Sequence, residues 1–243
     1  MRTPRFYTNQ ALHKDQLVLL EQTPSHHLIR VLRSKPGSTV LLFNGDGREY
    51  QAVYEGNEGK LARVHIANSQ EPRRESRLRI HIGQGISRGE RMDLVMQKSV
   101  ELGVQAITPL WTTRSQVQLD GKRLAKRLSH WEGIVVSACE QSGRSQLPSL
   151  APACSLREWL SPRIENETRL VLDPDAEKVL TDLRPVRQAR VLIGPEGGLE
   201  ASEIEKAVEA GFSRVKLGPR ILRTETATLA ILAAMQTLWG DLS

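Results

Sequence analysis

Three short apolar segments in the second half of the sequence end in proline, two of them in Gly-Pro. They read RLVLDP (169–174), ARVLIGP (189–195) and SRVKLGP (213–219). Short runs rich in Val, Leu and Ile that stop at Gly or Pro are typical of buried strands. Helical patterns follow the last two runs, so strands and helices alternate along this part of the chain. That alternation predicts a parallel α/β sheet.

The same alternation begins further upstream. LRIHIGQGI (78–86) has the pattern of a strand that runs into glycine, and residues 90–103 have the pattern of a helix that ends at Gly103. A second strand pattern covers 106–111, and a long helix is predicted over roughly 120–142. One side of the helix at 90–103 is predicted to be buried and carries Met92, Val95, Met96, Ser99 and Val100.

The first seventy residues have a different rhythm, that of short strands separated by turns. Turn sequences NGDG (44–47) and EGNEG (55–59) separate several of these strands. A short helix is predicted from Ser25, with Leu28, Val31 and Leu32 as its buried stripe. The pattern predicts a small β-barrel. Its strands are expected at 17–20, 38–43, 48–54 and 60–66.

A charged, proline-containing stretch, NSQEPRRESR (68–77), separates the two patterns and is typical of a linker. We therefore predict two domains, 1–72 and 73–243. Positive charge is concentrated beside this boundary: residues 73–127 hold 12 Lys and Arg against 5 Asp and Glu, a net charge of +7 in a chain whose net charge is +6. Such a concentration favours a polyanionic partner such as RNA over a merely solvated face.

Several classes of protein are not expected. No run of about 18 apolar residues indicates a membrane span, and the polar start MRTPRFYTNQALHK lacks the apolar segment of a secretory signal. The two cysteines, Cys139 and Cys154, form no CxxC pair, and Cys139 is expected to be a packed core thiol. These features predict a cytoplasmic protein. The six histidines have no zinc-ligand spacing, so no metal is expected.

The turn in VLIGPEGGLE (191–200) belongs at the carboxyl edge of the predicted sheet, where α/β proteins bind ligands. The chain has no GxxxxGK[ST] phosphate loop, and GQGISRG (83–89) matches a dinucleotide fingerprint poorly. Glycines without bulky side chains suit an adenosine, and Glu196 suits a positively charged ligand. S-adenosylmethionine combines both properties. The alternative, weighted equally, is a tight turn in which Glu196 caps a helix or faces solvent.

Longer stretches carry a resemblance. VLIGPEGGLEASEI and KLGPRILRTETATLAIL closely resemble the C-terminal signature of the 16S ribosomal RNA uracil-N3 methyltransferase family, of the SPOUT class. MRTPRFY, HHLIRVLR, SRGERMDLVMQKSVELGV and ACEQSGR extend the resemblance over essentially the whole chain. It implies a PUA-like β-barrel joined to an α/β domain with a C-terminal trefoil knot. It also implies S-adenosylmethionine as methyl donor, a homodimer, and the small ribosomal subunit as partner.

The resemblance implies that the donor pocket is formed by the turns after the three proline-ended strands. By match, the cofactor-binding residues are Leu172, Ile193, Gly194, Pro195, Gly197, Gly198, Leu217, Gly218, Ile221 and Leu222.

Methylation of uracil N3 requires that the N3 proton leave and that charge developing on the uracil oxygens be stabilised. We hypothesise that Arg223 or a neighbouring arginine supplies a cation and that Glu196 and Glu225 are candidate bases. For Glu225 a simpler role is favoured, that of complementing the dipole of a helix that begins near Thr224. For Arg223, an ion pair with either glutamate is an equal alternative.

N3 lies on the pairing edge of the base, so the target uridine must be unpaired or extruded. The N-terminal domain is then expected to grip RNA. The candidate phosphate contacts are Arg2, Arg5, Arg30, Arg33, Arg88 and Arg91. The mostly apolar stretch 224–239 is expected to be a helix in the core or at a subunit contact.

Two other functions remain open at this stage. One is a non-catalytic RNA-binding or ribosome-assembly factor with an unused pocket. The other is a SPOUT methyltransferase that acts on another RNA, for example on a tRNA ribose. Composition excludes neither of them.

Overall fold

The computed structural model describes residues 3–115, 120–161 and 164–242. The chain forms two compact units, one of Met1–Glu75 with Cys139–Leu147 and one of Ser76–Ala138 with Pro148–Ser243. A short segment far along the chain thus belongs to the N-terminal unit. The division at residue 72 stays a prediction. Arg2, one of the predicted RNA contacts, lies outside the described residues.

The first unit is built on a five-stranded sheet of order β1-β3-β4-β5-β2. β1 pairs in parallel with β3, whereas the other neighbours are antiparallel. The four predicted strands are present, and β1 is added at one edge. Its core contains Phe6, Leu28, Leu42 and Val64, each at most 1% exposed. The strands are β1 (Arg5–Tyr7), β2 (Leu17–Leu19), β3 (Thr39–Phe43), β4 (Glu49–Glu58) and β5 (Leu61–Gln70).

The predicted stripe on the short helix was wrong at two of its three positions. Helix α1 (Gln22–His26) continues into a π-helical segment, His27–Val31, in which the Leu32 N–H donates to the His27 carbonyl. A π-turn contains more residues than an α-turn, so the residue three positions on rotates away from the buried face, as Val31 does from Leu28. Leu28 is fully buried, but Val31 is 59% and Leu32 42% exposed. Ser25 is buried inside α1 rather than capping it, and its hydroxyl donates to the Leu20 carbonyl.

The prediction that Arg5 contacts an RNA phosphate was wrong. Its side chain is buried and forms an ion pair with the buried carboxylate of Glu49, and it also donates to the Arg144 carbonyl at 3.0 Å. Arg74 reaches the same Glu49 at 2.8 Å. A buried arginine that satisfies a buried carboxylate is a structural group, because removing it would leave an unpaired charge. Arg5 is therefore not available to a phosphate.

The second unit contains a wholly parallel sheet of seven strands. Its order is β12-β10-β11-β6-β7-β8, with β9 also paired to β7. The predicted parallel sheet is confirmed, and the three proline-ended runs supply its neighbouring strands β12, β10 and β11. The strands are β6 (Arg79–Gly85), β7 (Ala106–Trp111), β8 (Ser149–Leu150), β9 (Cys154–Ser155), β10 (Thr168–Leu172), β11 (Gln188–Ile193) and β12 (Ser213–Val215).

Helices pack on both faces of this sheet. Side chains of α2, α3 and α6 share one apolar cluster, and side chains of α4 and α5 share another. Along β11, Val191 and Ile193 belong to the first cluster and Leu192 to the second, as the two-residue period of a strand requires. The helices are α2 (Glu90–Glu101), α3 (Gly121–Ser142), α4 (Leu156–Leu160), α5 (Ala201–Glu209) and α6 (Thr224–Trp239), with a 3-10 turn at Leu180–Asp182.

Two details of the sequence interpretation are confirmed in these elements. All five residues predicted to line the buried side of α2 are buried. Cys139 is fully buried, and burial raises the pKa of its thiol to about 12, as expected of a packed core cysteine. His81 is half-buried beside Trp159, and burial followed by the nearby Arg190 lowers its pKa to about 4.

The GQG stretch of β6 has a packing role. A Cβ on Gly83 would lie 2.6 Å from the Trp159 ring, and a Cβ on Gly85 would lie 2.5 Å from Pro195. These glycines therefore let α4 and the turn after β11 approach the strand closely.

Candidate cofactor site

The turns that follow β10, β11 and β12 meet around one cavity of about 410 Å³. Such a volume falls within the range of small-molecule sites, about 300–1,000 Å³. All ten residues predicted to bind the cofactor line it, as does Glu196. The other lining residues are Arg114, Asp173, Pro174, Asp175, Leu199, Ile204, Val215, Lys216, Arg220, Thr224 and Ala227. The sequence argument that three turns share one edge of the sheet is therefore confirmed in space.

Glycine is required at specific points of this wall. A Cβ on Gly194 would lie 2.9 Å from the Leu199 nitrogen and 3.0 Å from the Gly198 carbonyl carbon, both of them backbone atoms. Gly198 has φ +72° and Gly218 has φ +77°, in the left-handed region that other residues avoid. The turn 194–198 therefore closes on itself and presents backbone groups to the cavity.

Glu196 is held on the wall by two donors. Its Oε1 accepts from the Arg88 backbone N–H at 2.8 Å and from Arg91 Nη1 at 3.0 Å. Burial raises the pKa of this carboxyl, but the hydrogen bonds and the charge of Arg91 outweigh burial and lower the pKa below its ordinary value. Glu196 neither caps α5, whose N-cap is Glu200, nor faces solvent freely, since its side chain is 16% exposed.

Arg91 joins both predicted carboxylates. Besides Glu196, its Nε lies 3.9 Å from Oε1 of Glu225, in the first turn of α6. The second oxygens, Oε2 of Glu196 and Oε2 of Glu225, are buried and have no hydrogen-bond partner among the described residues. Glu196 lines the cavity, whereas Glu225 follows the lining residue Thr224 without lining the cavity itself.

Arg223 is placed differently from the expected ion pair. It is exposed at the N-cap of α6, and within the described ranges its guanidinium has no ion-pair partner. Arg91, rather than Arg223, forms the ion pairs with Glu196 and Glu225. The cation predicted at Arg223 is therefore uncommitted in this structure.

Sequence reasoning missed several residues of the site. Gln84, at the end of β6, is fully buried and bonds to Gly194 and Thr224. Its position carried a signal: it shares a strand face with the core residues Ile80 and Ile82, where a polar side chain is unusual. Arg114, which donates to the Gly197 carbonyl at 3.0 Å, follows β7 in a loop without any motif.

A larger concavity of about 670 Å³ lies elsewhere in the second unit, lined by residues of α4 and α5 with Trp111 and Thr113. None of the predicted site residues lines it. Size alone does not identify a site, and only the smaller cavity lies at the ends of three neighbouring parallel strands.

The predicted RNA contacts differ in availability. Arg30 and Arg33 are exposed in the first unit, and Arg88 is exposed in the second. Arg91 is 43% exposed at its side chain but engaged by the two glutamates.

Among the described residues, none of the helices combines the length and hydropathy that crossing a bilayer requires. The same part of the chain contains no group of three or more potential metal-ligating side chains. The absence of a metal stays an expectation.

Comparison with known families gives two matches. A family of RNA methyltransferase domains matches residues 74–236, and a family of RNA methyltransferase PUA domains matches residues 24–66. The ribosomal RNA small subunit methyltransferase E of Buchnera aphidicola is 38% identical over 243 residues, covering 100% of this chain and 99% of its own length. The protein of that name from Bacillus subtilis is 30% identical over 230 residues, covering 89% and 90%.

Two solved structures match over their full length. The ribosomal RNA small subunit methyltransferase E of Neisseria gonorrhoeae, bound to S-adenosyl methionine, has a TM-score of 0.93 at 44% identity. A putative methyltransferase from Legionella pneumophila, in complex with the cofactor SAM, has a TM-score of 0.95 at 41% identity. Each comparison covers 100% of both chains.

The parallel α/β domain with its glycine-walled cavity and the PUA-type domain together define an RNA methyltransferase of the SPOUT class. The chain belongs to the ribosomal RNA small subunit methyltransferase E family. The trefoil knot stays a prediction.

Proposed function

We propose that this chain transfers a methyl group from S-adenosylmethionine to N3 of a uridine in small-subunit (16S) ribosomal RNA. One observation carries the proposal: the ten residues expected to bind the donor line a single cavity at the ends of three parallel strands. Two similar proteins hold this donor in their solved structures, and curated relatives carry the name of a small-subunit rRNA methyltransferase.

The chemistry of the cavity suits this donor. Backbone groups of the glycine turns can approach an adenosine, and no phosphate-binding loop is needed. Its wall carries both signs of charge, the carboxylates of Asp173, Asp175 and Glu196 and the cations of Arg114, Lys216 and Arg220. Such a wall suits a ligand that carries a sulfonium, an ammonium and a carboxylate. When bound, S-adenosylmethionine supplies a methyl group already activated by the sulfonium, so the protein has to orient the uracil and manage its N3 proton.

For the charge that develops on the uracil oxygens we assign Arg223. Its guanidinium is exposed and has no ion-pair partner in the described ranges, so it can turn toward a substrate without breaking an existing contact. A cation there would stabilise the imidate formed as N3 loses its proton.

The two glutamates differ as candidate bases. The lowered pKa of Glu196 makes it a weak proton acceptor near neutral pH, and its bonds to Arg88 and Arg91 suit a role in holding the turn. Glu225 remains the candidate base, because its Oε2 has no partner within the described residues. A water held by that oxygen would serve the same purpose.

RNA binding is assigned to the N-terminal unit with the basic segment 73–127. Arg30, Arg33 and Arg88 are the exposed candidates for phosphate contacts. If they act through charge, log-log plots of affinity against salt should lose roughly 0.7 to 0.9 units of slope for each contact removed.

We further propose that the protein is a cytoplasmic homodimer. Leu238 and Leu242, near the C-terminal end of α6, are 44% and 50% exposed. A second subunit that covers such apolar side chains would remove them from water. Sedimentation of the purified protein tests this point.

The decisive experiment has two stages. Calorimetric titration with S-adenosylmethionine tests donor binding, and mass spectrometry of small-subunit rRNA from cells that lack the protein tests the modified nucleotide. A protein that takes up no donor would be a non-catalytic RNA-binding factor. Loss of a modification other than N3-methyluridine would assign the enzyme to another RNA target.

The residue roles are tested by methylation rates at saturating donor. Arg223→Ala and Glu225→Gln should each lower the rate by roughly 10²- to 10⁴-fold, the size of a general acid–base or electrostatic contribution. Arg184→Ala, which removes an exposed arginine of the same unit outside the cavity, is the matched control. Rates within a few-fold of wild type in both variants would remove the assigned roles.

A further inference from the structure

A chain of hydrogen bonds runs beneath the cavity from α6 through β6 to the turn after β11. The Thr228 hydroxyl donates to Gln84 Oε1 at 2.7 Å, and Gln84 Nε2 donates to Thr224 Oγ1 at 2.9 Å. The Thr224 hydroxyl in turn donates to the Gly194 carbonyl at 2.6 Å. The Gln84 amide accepts at its oxygen and donates at its nitrogen, and the Thr224 hydroxyl accepts one bond and donates the next, which strengthens the neighbouring bonds.

The orientation of the Gln84 amide is fixed by its neighbours. Its nitrogen also lies 3.1 Å from the Gly85 carbonyl and 3.3 Å from the Gly194 carbonyl. Carbonyl oxygens only accept, so the NH₂ group must face them and the amide oxygen must face Thr228. A carboxylate of the same shape could not replace this amide without setting oxygen against oxygen.

These groups lie out of water. Gln84 and Thr228 are fully buried, and Thr224 is 6% exposed. Buried polar groups of this kind stabilise only when every member is paired, and they then impose one geometry on the backbone they contact. The backbone contacted here is Gly194, the first residue of the turn that forms the cavity wall.

Gln84 does not line the cavity, whereas Thr224 and Gly194 do. We propose that Gln84 is a positioning residue for the methyl donor: through Thr224 and the Gly194 carbonyl it fixes the turn 194–198 in the shape that receives S-adenosylmethionine. The inference rests on the proposed function, since it deepens the assignment of that same site.

The test is Gln84→Met, which keeps the length of the side chain and removes the amide. We expect the dissociation constant for S-adenosylmethionine, measured by calorimetry, to rise about tenfold, the size expected when buried partners of a hydrogen bond lose it. The KM for the donor should rise in parallel, while kcat at saturating donor should change less than threefold. Gln84→Glu should weaken donor binding further, because a charged oxygen would face Gly194.

Gln236, on the helix α6 that also carries Thr224 and Thr228, provides a matched control. It is also a fully buried glutamine, bonded to the Leu102 carbonyl at 3.1 Å and to the Ser76 hydroxyl at 2.7 Å, and it does not line the cavity. Gln236→Met should lower the melting temperature about as much as Gln84→Met but leave donor affinity within twofold of wild type. Thr224→Ser, which keeps the hydroxyl, should retain donor affinity that Thr224→Val loses.

The outcomes separate the two proposals. If the wild-type protein does not bind S-adenosylmethionine, the proposed function fails. If it binds and Gln84→Met binds equally well, or if Gln84→Met and Gln236→Met lose the same affinity, the positioning role of Gln84 is wrong. Should Gln84→Met not fold, Thr224→Val against Thr224→Ser decides by the same titration.

Discussion

Two of the attachments that hold the turn 194–198 to the rest of its domain have opposite character. At its first residue, Gly194, it is held by the uncharged and buried side chains of Gln84 and Thr224. Two residues further on, Glu196 is held by Arg91, whose side chain is 43% exposed. The turn is thus held at Gly194 by buried neutral hydrogen bonds, here called the dry attachment, and at Glu196 by a partly exposed ion pair, here called the wet attachment.

The difference teaches which attachment fixes the shape of the turn and which can respond to conditions. Neutral hydrogen bonds out of water are insensitive to salt and to pH near neutrality. A partly exposed ion pair is screened by salt and contributes at most about 1 kcal/mol. We therefore expect the Gly194 end to set the geometry of the cavity wall and the Glu196 end to tune its charge.

The largest effect is expected from Gly194→Ala, which strains the turn at the dry attachment. The added Cβ would lie 2.9 Å and 3.0 Å from backbone atoms of Leu199 and Gly198, which cannot move aside without opening the turn. Overpacking of this kind costs about 1–3 kcal/mol, so donor affinity should fall by roughly ten- to a hundredfold. Calorimetric titration and thermal unfolding measure the two effects.

Gly133→Ala is the control for that substitution. Gly133 lies in α3, and a Cβ there would meet no atom within 4 Å. The variant should gain about 0.5–1 kcal/mol of stability, because alanine favours a helix over glycine, and it should bind donor normally. Equal donor affinity in the two alanine variants would show that the Gly194 turn does not shape the site.

A smaller effect is expected from Arg91→Ala, which removes the wet attachment. Two carboxylates would lose their cation, and donor affinity should fall by roughly two- to fivefold, in line with a partly exposed ion pair. Arg91→Lys keeps the charge and should recover part of the loss. High salt should reduce the difference in donor affinity between wild type and Arg91→Ala but not the difference between wild type and Gln84→Met. If salt changes both differences alike, the distinction between the two attachments is wrong.

The smallest effect is expected from pH. The pKa of Glu196 is held below its ordinary value of 4.5, so the ionised form is the one stabilised by folding. Its contribution is present above pH 4.5 and is lost as pH falls through the lowered pKa. Donor affinity should therefore be flat from neutral pH down to about 4.5. Below pH 4.5 the wild type should lose donor affinity that Glu196→Gln does not lose, and Glu196→Gln should bind slightly more weakly at neutral pH. Titrations that extend from neutral pH to below this value check both expectations.

The wall of the cavity could be predicted from the sequence because it depends on local patterns. Parallel strands bring their carboxyl ends to one edge, so three runs that end in Pro predicted one shared site. The ten cofactor residues came from the family resemblance, and all of them line that site. The buried side of α2 follows in the same way from a helical period.

The contacts that hold the cavity wall in place could not be predicted, because they join residues far apart in the sequence. Gln84 meets Thr224 across 140 positions of sequence, and Arg91 meets Glu196 across 105. Arg5 was assigned to RNA because nothing local reveals its buried partner Glu49. The exposure of Val31 depends on a π-turn, which the apolar period does not indicate.

The loop after β12 contrasts with the anchored turn 194–198. Within the described residues, no hydrogen bond joins residues 218–222 to another segment, and the Ile221 side chain stands 85% exposed at the cavity. A donor that carries a larger transferable group can therefore be accommodated on the side of the cavity formed by this loop. Redesign of the enzyme for synthetic sulfonium donors with larger transferable groups should begin at Ile221 and Leu222, leaving the 194–198 segment untouched.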